Sequence, residues 1–199
     1  QNITWTRIGS IANVKLEYST DGGTTYPNVI TASTPAAGGT FAWTIPDAIG
    51  TGLRVRISDA SDATVADTSD ASFTVKGSLT LTAPNGGESW AVGSTRTITW
   101  TKAGTLATVK LEYSTDNFAT ATVITASTDA ALGSYAWTIP DTISSTVKIR
   151  VTNTADTTVA DASNANFKIV GSLTLTAPNG TEKWKVGSSQ NIAWTKTGS

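Results

Sequence analysis

Two sets of residues in this chain have types and spacing that chemistry can use. The first is aromatic. Seven tryptophans (Trp5, Trp43, Trp90, Trp100, Trp137, Trp184 and Trp194) would stack on sugar rings if they stood bare in a row. The second is acidic. Asp59, Asp62, Asp67 and Asp70 fall in one short stretch, and Ser19-Thr20-Asp21-Gly22-Gly23-Thr24-Thr25-Tyr26 has the S-x-D-x-G-x-T-aromatic spacing of an Asp-box hairpin. A hard cation needs several oxygens converging at roughly 2.3–2.6 Å. Neither EF-hand nor nonapeptide calcium spacing occurs around Asp59–Asp70, so calcium there stays open and turn-capping aspartates are the plainer reading. The Asp box likewise reads as a glycan hint or, more simply, as a stiff hairpin in which Asp21 bonds turn amides and glycine relieves strain.

The missing residue types exclude more. There is no histidine and no cysteine, so neither a Ser–His nor a Cys–His dyad can form, and no thiolate metal site or disulfide exists. Paired carboxylates remain possible in principle, but Glu17 and Glu112 alternate with lysines on strands and are expected to face outward. PNGG at Pro84–Gly87 lacks the following helix and lysine of a phosphate loop. The chain is therefore expected not to be an enzyme. No catalytic, cofactor-binding or metal-ligating residue is assigned, and no cofactor is expected. A net charge of −1 and a pI near 5.3 argue against a nucleic-acid partner. No apolar run approaches the roughly 18 residues of a membrane span. Charged residues make up 15% of the chain, low against a typical ~25%.

The elements that hold these residues come in repeats. GSLTLTAPNGGESWAVGSTRTITWT, residues 77–101, returns as GSLTLTAPNGTEKWKVGSSQNIAWT, residues 171–195, and its last part opens the chain as QNITWT. Trp5, Trp100 and Trp194 are thus 95 and 94 residues apart, the signature of a tandem array. Within residues 77–170 seven short stretches read as strands: around Leu79–Ala83, Thr97–Thr101, Thr108–Ser114, Thr122–Ala126, Ser134–Ile139, Thr146–Thr152 and Ala165–Val170. Most alternate apolar and polar residues and are bounded by turn signals such as Pro84-Asn85-Gly86-Gly87 and Pro140-Asp141. A loop is expected over Asp156–Asn164, with Trp90 in another loop. Seven strands in under 100 residues predict an all-β fold of tandem immunoglobulin/fibronectin-III-like β-sandwiches. Residues 1–76 are then a repeat without its first strand, 77–170 a complete repeat, and 171–199 the first two strands of another. The outward Lys110 and Glu112 are expected opposite Lys148 and Arg150.

Alternation also weighs on the tryptophans. Trp100 shares a face with Ile98, and Trp137 with Tyr135 and Ile139, so these indoles are expected in the core. Trp90 and Trp184 are less constrained by pattern. The chain opens at Gln1 and the repeats are cut at both ends. Two readings follow: the chain is part of a longer periodic polymer, or neighbouring chains complete each other's sandwiches by strand donation. The joints Lys76-Gly77-Ser78 and Val170-Gly171-Ser172 are short, so a semi-rigid array is expected. Asn2-Ile3-Thr4 and Asn179-Gly180-Thr181 match the N-glycosylation pattern but do not recur in the middle repeat. Exposed Ser and Thr leave O-linked sugar as a compositional hint.

The motifs PNGGESW, ITWT, VKLEYSTD, AWTIPD and VKIRVTN, in that order, resemble the Ser/Thr-rich immunoglobulin-like surface module of fungal cell-wall, GPI-anchored proteins, found also in bacterial and archaeal secreted proteins. The most specific pieces are Pro84–Glu88 with Trp90 and Gly93, then Ile98-Thr99-Trp100. In the third copy Thr181 and Lys183 depart from the pattern. The resemblance implies a β-sandwich, an extracellular or cell-surface location and a spacer role, with Trp90 and Trp184 plugging a sandwich end. It implies no catalytic residue. The expected function is a structural segment of an extracellular fibre, stalk or adhesin shaft, whose partners are neighbouring repeats or copies of itself, with cell-wall or surface glycans also open. The alternative is a carbohydrate-binding accessory module of a secreted protein.

Overall fold

The structure, a computed structural model, describes residues 1–199. It is built of eighteen strands and two three-residue 3₁₀ turns, and it divides into two compact units, Gln1–Gly77 and Ser78–Ser199. No helix is long and apolar enough to cross a membrane.

The first unit contains β1 (Asn2–Thr4), β2 (Asn13–Ser19), β3 (Asn28–Pro35), β4 (Thr40–Ala42), β5 (Gly50–Asp59), β6 (Ala66–Thr68) and β7 (Phe73–Val75). β1 pairs with β4, and the rest form a second sheet ordered β3-β2-β5-β6, with β7 also on β5. The second unit contains β8 (Ser78–Ala83), β9 (Ser89–Ala91), β10 (Thr95–Ala103), β11 (Thr108–Ser114), β12 (Thr122–Asp129), β13 (Ser134–Thr138), β14 (Ser144–Asn153), β15 (Ala160–Ala162) and β16 (Phe167–Val170). One sheet runs β13-β10-β8 and the other β12-β11-β14-β16-β9, with β15 also on β14. The β-branched and aromatic residues of these strands favour the pleated, half-buried surface they form. Ile98, Trp100 and Leu81 from the first sheet meet Leu111, Ile149 and Phe167 from the second in one buried core, as a two-sheet sandwich requires.

Between residues 78 and 170 the strand segments number nine, where the sequence predicts seven. The first strand ends at Ala83, as the turn signal Pro84–Gly87 predicts, but a further short strand, β9, follows the turn. Glu88 accepts hydrogen bonds from the Asn85 and Gly86 amides at 2.8 and 2.9 Å. That closes a tight loop and lets the chain cross to the other sheet as β9, which runs parallel to β16. Trp90 therefore lies in a strand rather than a loop. The stretch Asp156–Asn164, expected as a loop, holds the other additional strand, β15, paired with Arg150–Thr152. Gly86 sits at φ 127°, and a Cβ there would lie 2.5 Å from that of Ala165, so only glycine allows this crossing.

Each 3₁₀ turn is tied to a tryptophan. Asp129 accepts from the Ala131 amide at 2.8 Å and starts the turn Ala130–Leu132. The Trp100 indole N–H donates to the Ala130 carbonyl at 3.0 Å. In the first unit the Trp5 indole does the same to Ala36, also at 3.0 Å. The repeating tryptophan thus packs its ring against the sandwich and donates its indole N–H to the carbonyl that opens the 3₁₀ turn.

β17 (Ser172–Ala177) and β18 (Ala193–Thr197) pair with each other and with no further strand.

Candidate functional site

The tryptophans do not form a sugar platform. Trp43, Trp90, Trp100 and Trp137 are buried, and Trp90 packs on Phe167 and Trp137 at ring-centroid distances of 5.0 and 6.2 Å. Trp5 is partly exposed, and Trp184 and Trp194 are exposed. The resemblance places Trp184 at a sandwich end, yet it is 46% exposed and Trp194 62% exposed, because the β17–β18 hairpin has no second sheet to cover them.

The aspartates cap turns. Asp21 accepts from the Ser19 hydroxyl at 2.6 Å, the Thr25 hydroxyl at 2.6 Å and the Thr25 amide at 2.9 Å. These donors hold its carboxyl far below the usual range. Asp116 repeats the arrangement with Thr120 and Ser114, and the Thr120 hydroxyl and amide, with the Ser114 hydroxyl, bring its pKa to about 2. The second unit lacks the glycines of the box but keeps its backbone. Asn117 and Phe118 take φ 57° and 67° where Gly22 and Gly23 take 75° and 93°. The aromatic ring is then supplied from a different position. Phe118 lies 4.5 Å from the Arg150 guanidinium, and Tyr26 lies 4.5 Å from that of Arg56. In the acidic loop, Asp59 accepts from the Ser61 amide and hydroxyl, and Asp62 from those of Thr64. No group of three or more acidic side chains converges to hold a cation.

Glu17 and Glu112 correct the expectation of outward, exposed carboxylates. They stand on the outer face of their strands, as alternation requires, but both are buried. Lys110 reaches Glu112 at 2.7 Å and Arg150 reaches it at 3.0 Å. Lys15 and Arg56 close over Glu17 at 2.6 and 2.8 Å. Burial pushes these carboxyls up, but the hydrogen bonds and charges of the flanking cations outweigh it, and both sit below the ordinary glutamate value. The register pairs Glu112 with Arg150, and Lys148 faces Ser114 rather than Lys110.

The feature with the most unspent contact surface is a groove in the first unit. In the second unit β8 packs over β14 and β15. The Leu81 amide donates to the Asp161 carboxylate at 2.7 Å, the Ser163 hydroxyl to the Pro84 carbonyl at 2.8 Å, and the Asn164 amide to the Asn85 side chain at 2.7 Å. In residues 1–77 no strand takes that place. Ile3, Trp5, Val55, Ile57, Ser69 and Phe73 are all partly exposed, while their counterparts Ile98, Trp100, Ile149, Val151, Ser163 and Phe167 are at most 3% exposed. Val65 is 47% exposed and its counterpart Val159 only 7%. Two cavities mark the groove. One of about 520 Å³ lies between Ile3–Thr6 and Asp67–Asp70. The other, of about 540 Å³, lies against Trp43, Val55 and Phe73, where Trp90 sits in the second unit.

No family model matches the chain, and no curated protein matches it. Among solved structures it is similar to the fibronectin(III)-like modules of Clostridium thermocellum CbhA, at 18% identity over 84% of this chain and 83% of that one, with a TM-score of 0.29. A likeness of that size carries no argument about function. The immunoglobulin/fibronectin-III-like sandwich is read from the strand order itself.

What the sequence does not signal is the use of Asp161 as a strand anchor. It reads as one more loop aspartate until β8 is seen above it.

Proposed function

We propose that the chain is a structural segment of an extracellular shaft, stalk or fibre, in which tandem sandwiches add length and perform no reaction. The observation that carries this reading is where the reactive-looking groups are spent. The Trp100 and Trp5 indoles point inward onto 3₁₀ turns, Asp21 and Asp116 stitch hairpins, and Glu17 and Glu112 are neutralised on both sides. The resemblance to Ser/Thr-rich immunoglobulin-like surface modules supports the same role and an extracellular location. The partners are neighbouring repeats or further copies, and the short Gly-Ser joints favour a semi-rigid array.

Electron microscopy of the native material tests the reading. Thin polymers with an axial repeat of roughly 30–40 Å, about the length of a ten-residue strand with its end loops, are the expected result. Dispersed particles that bind soluble glycans would favour the carbohydrate-binding alternative.

A further inference from the structure

We propose that the turn Pro140–Ile143 is a docking surface for the hairpin β17–β18, and that it locks the joint Val170-Gly171-Ser172 so that the hairpin keeps one orientation to the sandwich of residues 78–170. The partner is thus the following repeat of the same chain, and the hairpin belongs to the same compact unit as the sandwich. The Asp141 carboxylate accepts the Ser199 amide through both oxygens, at 3.1 and 3.0 Å. Beside it, the Ile143 side chain meets two glycines. A Cβ on Gly171, just before β17, would come within 3.2 Å of Ile143 Cδ1, and one on Gly198, just after β18, within 2.9 Å. Gly198 also sits at φ 95°, a conformation open to glycine and costly to other residues. The base of the hairpin can therefore close onto one isoleucine with no side chain in between.

The seat is rigid. Before the turn, Ile139 is buried; its amide donates to the Ser94 carbonyl and its carbonyl accepts the Gly93 amide, each at 2.9 Å. Within the turn the Thr142 amide donates to the Pro140 carbonyl at 2.9 Å. After it, Ser144 pairs with Ile169 between β14 and β16. On the other side of the joint, the Val170 carbonyl accepts the Val92 amide at 2.9 Å. A Gly-Ser linker held by its covalent bonds alone would swivel, and relative motion is the default for bodies so lightly joined. Asp141 and Ile143 add two anchor points away from the covalent path, and three points fix an orientation. The four residue types of the lock recur together 94 residues earlier in the sequence, as Asp47, Ile49, Gly77 and Gly104. Their neighbours drift between the copies: Ala48 stands for Thr142 and Ala103 for Thr197.

The inference deepens the shaft reading and rests on it for its biological sense, but its test stands apart. The full 199-residue chain has no cysteine, so spin labels can be placed in pairs. Thr101→Cys with Thr195→Cys reports the distance across the joint. Thr174→Cys with Thr195→Cys reports whether the hairpin is formed, since these residues face each other across β17 and β18. Pulsed electron–electron double resonance should give one narrow distance distribution across the joint. Asp141→Ala combined with Ile143→Ala should broaden that distribution roughly twofold or more, while the distance within the hairpin stays short. Both side chains lie outside the buried core, so near-UV circular dichroism should stay native. Thr142→Ala, on the same turn, should leave the distribution narrow. A broad joint distribution with Asp141 and Ile143 in place would overturn the proposal. So would a distribution that the double substitution leaves unchanged, one that Thr142→Ala broadens as much, or a hairpin pair that is itself broad. Native fibres combined with a swivelling joint would leave the shaft reading intact and remove the lock. A locked joint in a chain whose native material is dispersed would do the reverse.

Discussion

The ring of Trp90 stands 5.0 Å from that of Phe167, whereas the ring of Phe73, the counterpart of Phe167, meets that of Trp43 edge-on at 6.2 Å. One indole thus separates a closed sandwich end from an open one. Trp90→Ala should destabilise the second unit by about 3–5 kcal/mol, the usual cost of emptying a large aromatic site. Trp184→Ala in the monomeric chain should cost less than about 0.5 kcal/mol. Guanidinium unfolding followed by tryptophan fluorescence separates the two.

Glu112 lies under Lys110 and Arg150 and is itself buried. Removing it by Glu112→Ala should cost about 1–2 kcal/mol. That is less than for a fully buried pair, because both cations are about one-third exposed and can rehydrate. Lys148→Ala, on the same face but opposite Ser114, should change stability by less than about 0.5 kcal/mol. Urea midpoints of the two variants check the contrast.

The hairpin at Asp116 inverts a familiar rule. Phe118 is held at φ 67°, a region that costs an L-residue roughly 1–2 kcal/mol, and its ring covers Arg150. Phe118→Ala loses the ring and keeps the strain, whereas Phe118→Gly loses the ring and releases the strain. The glycine variant should therefore be more stable than the alanine variant by about 1 kcal/mol, opposite to their order in ordinary strand positions. Thermal melts of the two proteins decide it.

Acid should loosen the same hairpins. The Asp116 carboxyl has an ordinary value of 3.8 and titrates at about 2 when folded, and Asp21 is lowered further still. A group with a depressed folded pKa stabilises the fold fully above its unfolded value and loses that contribution as pH falls through the folded one. Stability should be flat in this respect above about pH 5 and should fall between about pH 4 and pH 2. Asp116→Asn should flatten part of that slope, as read from melting midpoints taken across pH.

The β17–β18 hairpin should exchange its amides far faster than β10 and β8, which it copies in sequence. A two-stranded ribbon with uncovered faces is marginal in water, while the β10–β8 pair is held against a second sheet. Hydrogen exchange read by mass spectrometry should show protection at Thr97–Thr101 and little at Ala193–Thr197.

Much of this was legible before any fold was in view. The alternation in TVKLEYS and TVKIRVT placed Val109, Leu111, Ile149 and Val151 inside, because side-chain parity in a strand is fixed by geometry. Parity does not fix burial on the outer face. Glu112 pointed outward as expected and was still buried, since two long cationic side chains folded over it. The 3₁₀ turns at Ala36 and Ala130 carried no helical period, being one turn long, and they owe their shape to an indole donor about thirty residues away in sequence. The short strand β9 hid behind Pro84-Asn85-Gly86-Gly87, a turn signal that ends the first strand as expected and then redirects the chain to the other sheet.

That redirection sets how a unit meets tension. Ser89–Ala91 near the entrance of the second unit runs parallel to Lys168–Val170 at its exit. The two are bonded through the Lys168 amide on the Glu88 carbonyl and the Val92 amide on the Val170 carbonyl, at 2.8 and 2.9 Å. A pull applied through the two ends slides these segments past one another and loads their bonds simultaneously, whereas an antiparallel exit would let them peel one at a time. Each block is thus latched along the direction in which a taut string of such blocks would be stretched.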